Sequence, residues 1–273
     1  MKYENTRPPI AVILAADTGS RLSPLTDNCP CGLLSVGGSA VLERMIRNCL
    51  SCGISQFVLV LGHRADDIKQ YVSKAFKGIR VTYVINERYL TTNSGYSLAL
   101  AASAIGTSEF IKFDANVVFD TQILRRLVDD ERPNVLCIDR SVPLTDETVK
   151  VVTDAQMRVT EIGKTVDPKI ALGNAIGIEK ISAVTGPVLF AELTKMMESA
   201  SRAQGGIEIA YAWLIGKGIP FQALDITELS WTEIDTAEDF AAANAMFKTP
   251  STMISRGQQK ALDEDAERKL HTL

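Results

Sequence analysis

Apolar residues fall into two alternating rhythms over the first half of the chain. Residues 10–16 are an unbroken apolar run, 41–50 carry apolar positions at three- and four-residue intervals, 57–61 are again continuous, and 66–76 are again helical in period. A short continuous run fits a strand buried on both faces, and a three-and-four spacing fits a helix with one apolar stripe. The alternation continues with a strand at 79–85, an Ala-rich helix at 95–105, a strand at 109–113 and a helix at 121–129. This spacing predicts an α/β fold with a mostly parallel central sheet, covered on both faces and joined by right-handed crossovers. Such sheets bind ligands beyond the carboxyl ends of their strands.

After Pro133 the rhythm changes. Segments 134–139, 149–153 and 159–162 are β-rich and separated by polar turns such as Thr153-Asp154-Ala155-Gln156, which predicts an antiparallel, β-rich extension. Helices are expected at about 187–201 and 207–215, a strand at 221–226, and a last helix opened by Thr236 with Asp239 in a capping arrangement. One domain is expected over 1–247, in two halves, 8–133 and 134–247. The polar tail 248–273 has a single periodic stretch at 261–270.

Composition narrows the classes. The 273 residues are 46% apolar and 23% charged, which excludes a disordered or low-complexity chain. The 29 Lys and Arg against 33 Asp and Glu give a net charge of −4 without a basic tract, so nucleic acid is not expected as a partner. The longest apolar runs are far short of the roughly 20 residues that cross a bilayer. The first residues also lack the zones of a signal peptide, so a cytoplasmic protein with reduced cysteines is expected. Cys29-x-Cys31 and Cys49-x-x-Cys52 offer thiols in pairs, but Cys49 and Cys52 lie in a helical pattern that sends at least one into the core. His63 follows a strand with no acidic or nucleophilic neighbour and reads as a surface turn. No HExxH, GxSxG or Walker-type motif is present.

The first strand runs into Ala15-Ala16-Asp17-Thr18-Gly19-Ser20-Arg21-Leu22. A loop of small residues exposes backbone N–H groups, and an Arg within it adds a forked positive charge suited to phosphate. The extended string ILAADTGSRLSPLTDNCPCGLLSVGG resembles the signature of nucleotidyltransferases that activate phosphorylated sugars, inositol or choline. The segments 89–98, 113–120, 161–164 and 231–239 resemble the same family in the same order, with the phosphocholine and inositol-phosphate cytidylyltransferase branch most similar. The resemblance implies a Rossmann-like nucleotide-diphospho-sugar transferase fold, a nucleotide half at 8–133 and an acceptor half at 134–247. It implies CTP and a phosphorylated small molecule as partners, and Mg²⁺ if the protein is active.

Position by position, the resemblance assigns Leu14, Ala15, Ala16, Gly19, Ser20, Arg21, Asn93, Ser94 and Asp114 to the nucleotide. Lys164, Glu208 and Tyr211 fall to the acceptor, and Asp235 to the metal with Asn116 as a weakened ligand. Arg21, Lys164 and Asp235 would be the catalytic set. Read without the resemblance, Asp235 is equally a residue preceding a helix cap. Three positions depart from the family pattern: Asp17 stands where a Gly is usual, Cys31 where a Lys is usual, and Asn116 where a metal Asp is usual. Each change weakens a triphosphate site, by charge repulsion, by loss of a cation or by loss of a ligand charge. Asn174 likewise stands where an acidic residue is expected near the acceptor. A thiolate at Cys31 favoured by Arg21 would be a new nucleophile, but no base accompanies it. Two functions follow: a slow cytidylyltransferase-like enzyme, or an inactive homologue, using no cofactor, that binds a small molecule, a second copy or a protein partner.

Overall fold

The computed structural model describes residues 8–198 and 206–248. In chain order its elements are β1 (Ile10–Ala15), β2 (Ser35–Val36), β3 (Ser39–Ala40), α1 (Val41–Ser51), β4 (Gln56–Leu61), α2 (Ala65–Ala75) and β5 (Arg80–Ile85). There follow α3 (Ser94–Leu100), α4 (Ala102–Ile105), β6 (Phe110–Asp114), β7 (Val117–Phe119), α5 (Thr121–Asp129), β8 (Asn134–Asp139), β9 (Lys150–Thr153) and β10 (Val159–Gly163). The chain closes with β11 (Gly173–Ile181), α6 (Thr185–Glu198), α7 (Ile207–Gly216), β12 (Gln222–Asp225), β13 (Trp231–Glu233) and α8 (Ala237–Met246).

One nine-stranded sheet organises these elements in the order β10-β9-β11-β6-β1-β4-β5, with β8 beside β11 and β12 beside β8. Strands β6, β1, β4 and β5 are parallel, whereas β11 runs antiparallel to β6, β8 and β9. The α/β architecture, parallel centre and β-rich extension are those that the hydrophobic pattern predicts. The unbroken apolar run of β1 has a simple cause. Ala11, Ile13 and Ala15 pack with Leu42, Ile46, Ile68 and Leu127 on one face, and Ile10, Val12 and Leu14 pack with Leu98, Leu189 and Leu214 on the other. Successive side chains point to opposite faces, so a strand covered on both sides has no polar positions.

From β1 the chain moves outward to β4 and β5, then returns to place β6 on β1's other side. The loops after β1 and β6 therefore diverge and leave a crevice at the carboxyl ends of the two strands.

Several elements differ from the sequence expectation. The hydrophobic pattern assigns no strand to 173–181, yet β11 is the strand that joins the parallel half to the extension. The helix expected over 95–105 is two helices, α3 and α4, separated at Ala101. The expected end of the helix at residue 201 and the periodic stretch 261–270 lie outside the described residues. Thr236 opens α8 in a reciprocal capping box with Asp239. Cys49 is fully buried in α1. Among the described residues no helix is long and apolar enough to cross a membrane.

Candidate active site

β1 delivers the small-residue loop to the crevice. Gly19 sits at φ 64°, and a Cβ there would lie 3.0 Å from Thr26 Cγ2, so both conformation and space call for glycine. The turn is closed by its own side chains: the Gly19 N–H donates to Asp17 Oδ1 at 2.8 Å, and the Thr26 hydroxyl donates to the Gly19 carbonyl at 2.8 Å. Asp17 thus occupies an amide that an undecorated loop would present to an anion. A short turn at Ser20–Leu22 then carries Arg21, whose guanidinium lies 2.9 Å from Asp235 Oδ1.

The opposite wall is built by pairing β13 with β7, which sets Glu233 against Val117. The Ile234 N–H donates to the Asn116 carbonyl at 2.9 Å. Asn116 Nδ2 donates to Glu233 Oε1 at 3.1 Å and to Asp235 Oδ1 at 3.0 Å, bridging two carboxylates. Thr236, not Asp235, caps α8, which leaves the Asp235 carboxylate turned to Arg21 and Asn116. Burial, with Asp235 and Asp114 nearby, pushes Glu233 up to about 7. Burial likewise raises Asp235, against the pull of Arg21. The thiol of Cys31 is pushed up to about 12 by burial and by Asp235 and Asp17, so Arg21 does not make it a thiolate nucleophile.

Two cavities meet at this wall. The smaller, about 340 Å³, is lined by Leu14, Ala15, Ala16, Gly19, Ser20 and Arg21 from the β1 side. Asn93, Ser94 and Asp114 line it from the other side. The larger, about 700 Å³, is lined by Lys164, Glu208 and Tyr211, with Asn174 beside them. Arg21, Asn93, Ser94, Asp114, Glu233 and Asp235 line both. Lys164 is exposed at the mouth and paired with Glu147 at 3.0 Å.

The sequence reading passes over three of the site's charged residues: Lys112, Glu179 and Glu233. Lys112 is buried in β6, 2.6 Å from Asp114 Oδ2 and 3.1 Å from Glu179 Oε2. Glu179 stands directly across from Lys112 in the β11–β6 pairing, which is why the two meet. Burial works against the Lys112 charge, but Asp114 and Glu179 outweigh it and hold the ammonium above its usual range. Burial pushes Glu179 up to about 7 against the pull of Lys112. The contact between Lys112 and Glu179 Oε2 is an ion pair outside hydrogen-bond geometry, and the buried Tyr211 hydroxyl has no hydrogen-bond partner among the described residues. A charge inside a strand reads as surface in a hydrophobic pattern, which hides Lys112 and Glu179. The family-like segment that contains Asp235 was the available signal for Glu233.

Among the described residues no three His, Cys, Asp or Glu side chains converge to hold a metal ion. The nearest arrangement is the carboxylate pair Glu233 and Asp235 with the Asn116 carboxamide between them. Hard oxygen donors of this kind suit Mg²⁺, which commonly binds through one or two carboxylates plus substrate phosphates. Asn116→Asp replaces the bridging donor by a third carboxylate. Its unfolding free energy in chelator is expected to fall by about 1–3 kcal/mol and to recover in Mg²⁺. Denaturant titrations in the two buffers check this; equal stability in both would remove the divalent-cation reading.

A family model described as a domain of unknown function (DUF6564) matches residues 37–246, beginning after the β1 loop. The CMP-5'-(3-aminopropyl)phosphonate synthase of Streptomyces rubellomurinus is 27% identical over 266 residues, a match that covers 94% of this chain and 41% of that protein. The inositol-1-phosphate CTP transferase of T. maritima shares the fold with a TM-score of 0.74 over 92% of this chain and 100% of that chain, at 19% identity. The CTP:phosphocholine cytidylyltransferase of Streptococcus pneumoniae does so with a TM-score of 0.71 over 88% and 100%, at 22% identity. This chain spans between 39% and 50% of the lengths of three curated relatives that it matches. The resemblance carried by the loop string is borne out: homologues and structural neighbours are nucleotidyltransferases, and the fold is the Rossmann-like nucleotide-diphospho-sugar transferase fold.

Proposed function

The chain belongs to the DUF6564 family, whose description names no chemistry, and from that premise we propose that it is a slow nucleotidyltransferase joining a nucleoside triphosphate, CTP, to a phosphorylated or phosphonylated small molecule. The observation that carries this reading is the shared wall of the two cavities, where one Arg and three carboxylates stand between a loop suited to phosphate and a second pocket. The nature of the second substrate follows the names of the relatives, which carry phosphocholine, inositol phosphate and an aminopropylphosphonate.

In the proposed reaction an acceptor phosphate or phosphonate oxygen forms a bond to the α-phosphorus of CTP, the bond to the α–β bridging oxygen breaks, and pyrophosphate leaves. Both reacting groups are anionic, so positioning and neutralisation dominate the barrier. Arg21 supplies charge where the two anions meet, and Lys164 holds the acceptor anion at the mouth of the larger cavity. Asp235 and Glu233 would hold Mg²⁺, with the Asn116 side-chain oxygen joining them only once its carboxamide is turned over from the orientation in which its NH2 bridges the two; when bound the ion would neutralise phosphate charge. Asp17, Cys31 and Asn116 make the site weak, because each removes or occupies a group that would meet the triphosphate.

The bond from Gly19 N–H to Asp17 supports a second reading: a protein that keeps the fold and the acceptor pocket but binds its partner without transfer. Calorimetric titration with CTP, ATP, GTP and UTP, with and without Mg²⁺, separates the two. Micromolar binding of CTP that needs Mg²⁺, with pyrophosphate release in the presence of acceptor, is expected. A folded protein that binds none of the four nucleotides would sink the transfer reading.

A further inference from the structure

Resting on the transfer reading, we propose that the larger cavity selects an acceptor carrying a primary ammonium group, received by Glu179, Glu208 and the Tyr211 hydroxyl. The charge balance around these groups makes the first case. Lys112 faces two carboxylates, Asp114 at 2.6 Å and Glu179 at 3.1 Å, and Glu208 lines the same cavity as a third, so these acidic groups outnumber its single ammonium. Glu208 lies close enough to Glu179 and Tyr211 to raise both, so the four groups share one local field. An anion alone is repelled from such a place, and a cation is drawn to it.

The second case is independent of charge. The Tyr211 hydroxyl is buried and has no hydrogen-bond partner among the described residues, an arrangement that costs stability unless a ligand supplies the missing bond. A donor N–H satisfies the phenol oxygen, and the phenol proton can then turn to a carboxylate.

The same geometry separates kinds of cation. A quaternary ammonium has no N–H and is held by the faces of several aromatic rings. Among the described residues Tyr211 is the single aromatic lining this cavity, and its ring packs on Phe221 at 5.4 Å between centroids. Glu179, Glu208 and Tyr211 offer hydrogen-bond acceptors, not ring faces, and they reward a cation that donates. Lys164 and Arg21 line the same cavity, each paired with a carboxylate, Glu147 and Asp235, that an acceptor phosphate or phosphonate would have to displace, so the cavity can take both ends of a zwitterion.

The test is calorimetric titration of the full chain, with and without CTP and Mg²⁺, using four probes. They are 2-aminoethylphosphonate, phosphoethanolamine, phosphocholine and ethylphosphonate. The two primary amines are expected to bind about tenfold more tightly than phosphocholine or ethylphosphonate. Comparison of the two amines distinguishes a phosphonate from a phosphate acceptor. Glu179→Gln and Tyr211→Phe should each shrink the preference for amine over quaternary ammonium several-fold. Tyr211→Phe changes one atom, so it remains informative if Glu179→Gln melts early. CTP binding with equal affinity for all four probes would overturn the proposal and leave the transfer reading intact. An amine preference without CTP binding would do the reverse, and failure of every ligand to bind would overturn both.

Discussion

Replacing Asp17 by Gly, Cys31 by Lys and Asn116 by Asp in one chain is expected to raise pyrophosphate release by roughly 10²-fold or more over the unaltered protein. Each substitution removes an obstacle that the structure makes specific. Without its carboxylate, residue 17 no longer takes the Gly19 N–H, and that amide is free for a phosphate. A lysine at 31 lies in the field of Asp235 and Glu233, two of the groups that push the native thiol up and that the variant retains, and there its charge is welcome. An aspartate at 116 completes a trio with Glu233 and Asp235 that Mg²⁺ can satisfy. Because these groups act on one transition state, the single variants should each give much less than their share of the triple. The assay is Mg²⁺-dependent pyrophosphate release with CTP and a panel of aminoalkyl phosphonates, phosphocholine, inositol phosphate and sugar phosphates. A folded triple variant with no gain on any of them would show that the lost activity does not reside at these positions.

The second large effect is on stability. Lys112→Ala leaves Asp114 and Glu179 facing each other without their cation, and breaking a buried pair from one side costs about 3–5 kcal/mol. The loss should depend on pH. Glu179 in the folded protein keeps its proton up to about 7, whereas an unfolded Glu releases it near its ordinary value of 4.5. Between those values the folded state binds more protons, so this residue's contribution is full below 4.5 and is lost as pH rises through about 7. Without Lys112 the folded Glu179 holds its proton still higher, and the penalty should be larger near about pH 8 than near about pH 5. Urea unfolding at the two pH values measures it. Adding Glu179→Gln to Lys112→Ala should restore part of the loss near about pH 8 and little near about pH 5, since the amide has no proton to hold against the solvent. A Lys112→Ala protein as stable as the parent at both pH values would mean that the cluster is open to water.

The elements that were legible in the sequence are those whose apolar periodicity is set by the sheet they cover. β1, β4, α1, α2 and α5 each have a single dominant environment, and their pattern states it. β11 is different: residues 173–181 carry two glycines, a glutamate and a lysine, and their burial depends on partners distant in the chain. The strand nature of β7 and β13 is equally nonlocal, since three residues make a strand there only because the other three lie opposite. In the site, the loop of 15–22 was recognisable by its small residues and its Arg together with the longer family-like string, and the segment of 231–239 through the family resemblance alone. Lys112 and Glu179 were not, because a buried ion pair requires knowledge of which strands are neighbours. The structure gives the α8 cap to Thr236 and turns the Asp235 carboxylate to Arg21 and Asn116, a pairing that local sequence does not show.

One detail of β11 bears on how such a pocket changes between lineages. Gly177 sits at φ 78°, its missing Cβ would lie 2.5 Å from Asp114 Oδ2, and the pairing with β8 breaks register between Ala175 and Glu179. Neighbouring residues of a strand face opposite ways, so the register after that glycine sets which residue of the Glu179-Lys180 dipeptide faces the cavity. A single codon gained or lost there, with the strand sliding by one place, exchanges the glutamate for the lysine. The cavity then trades one of its acids for a base in one mutational event, while β1 and its loop stay unaltered.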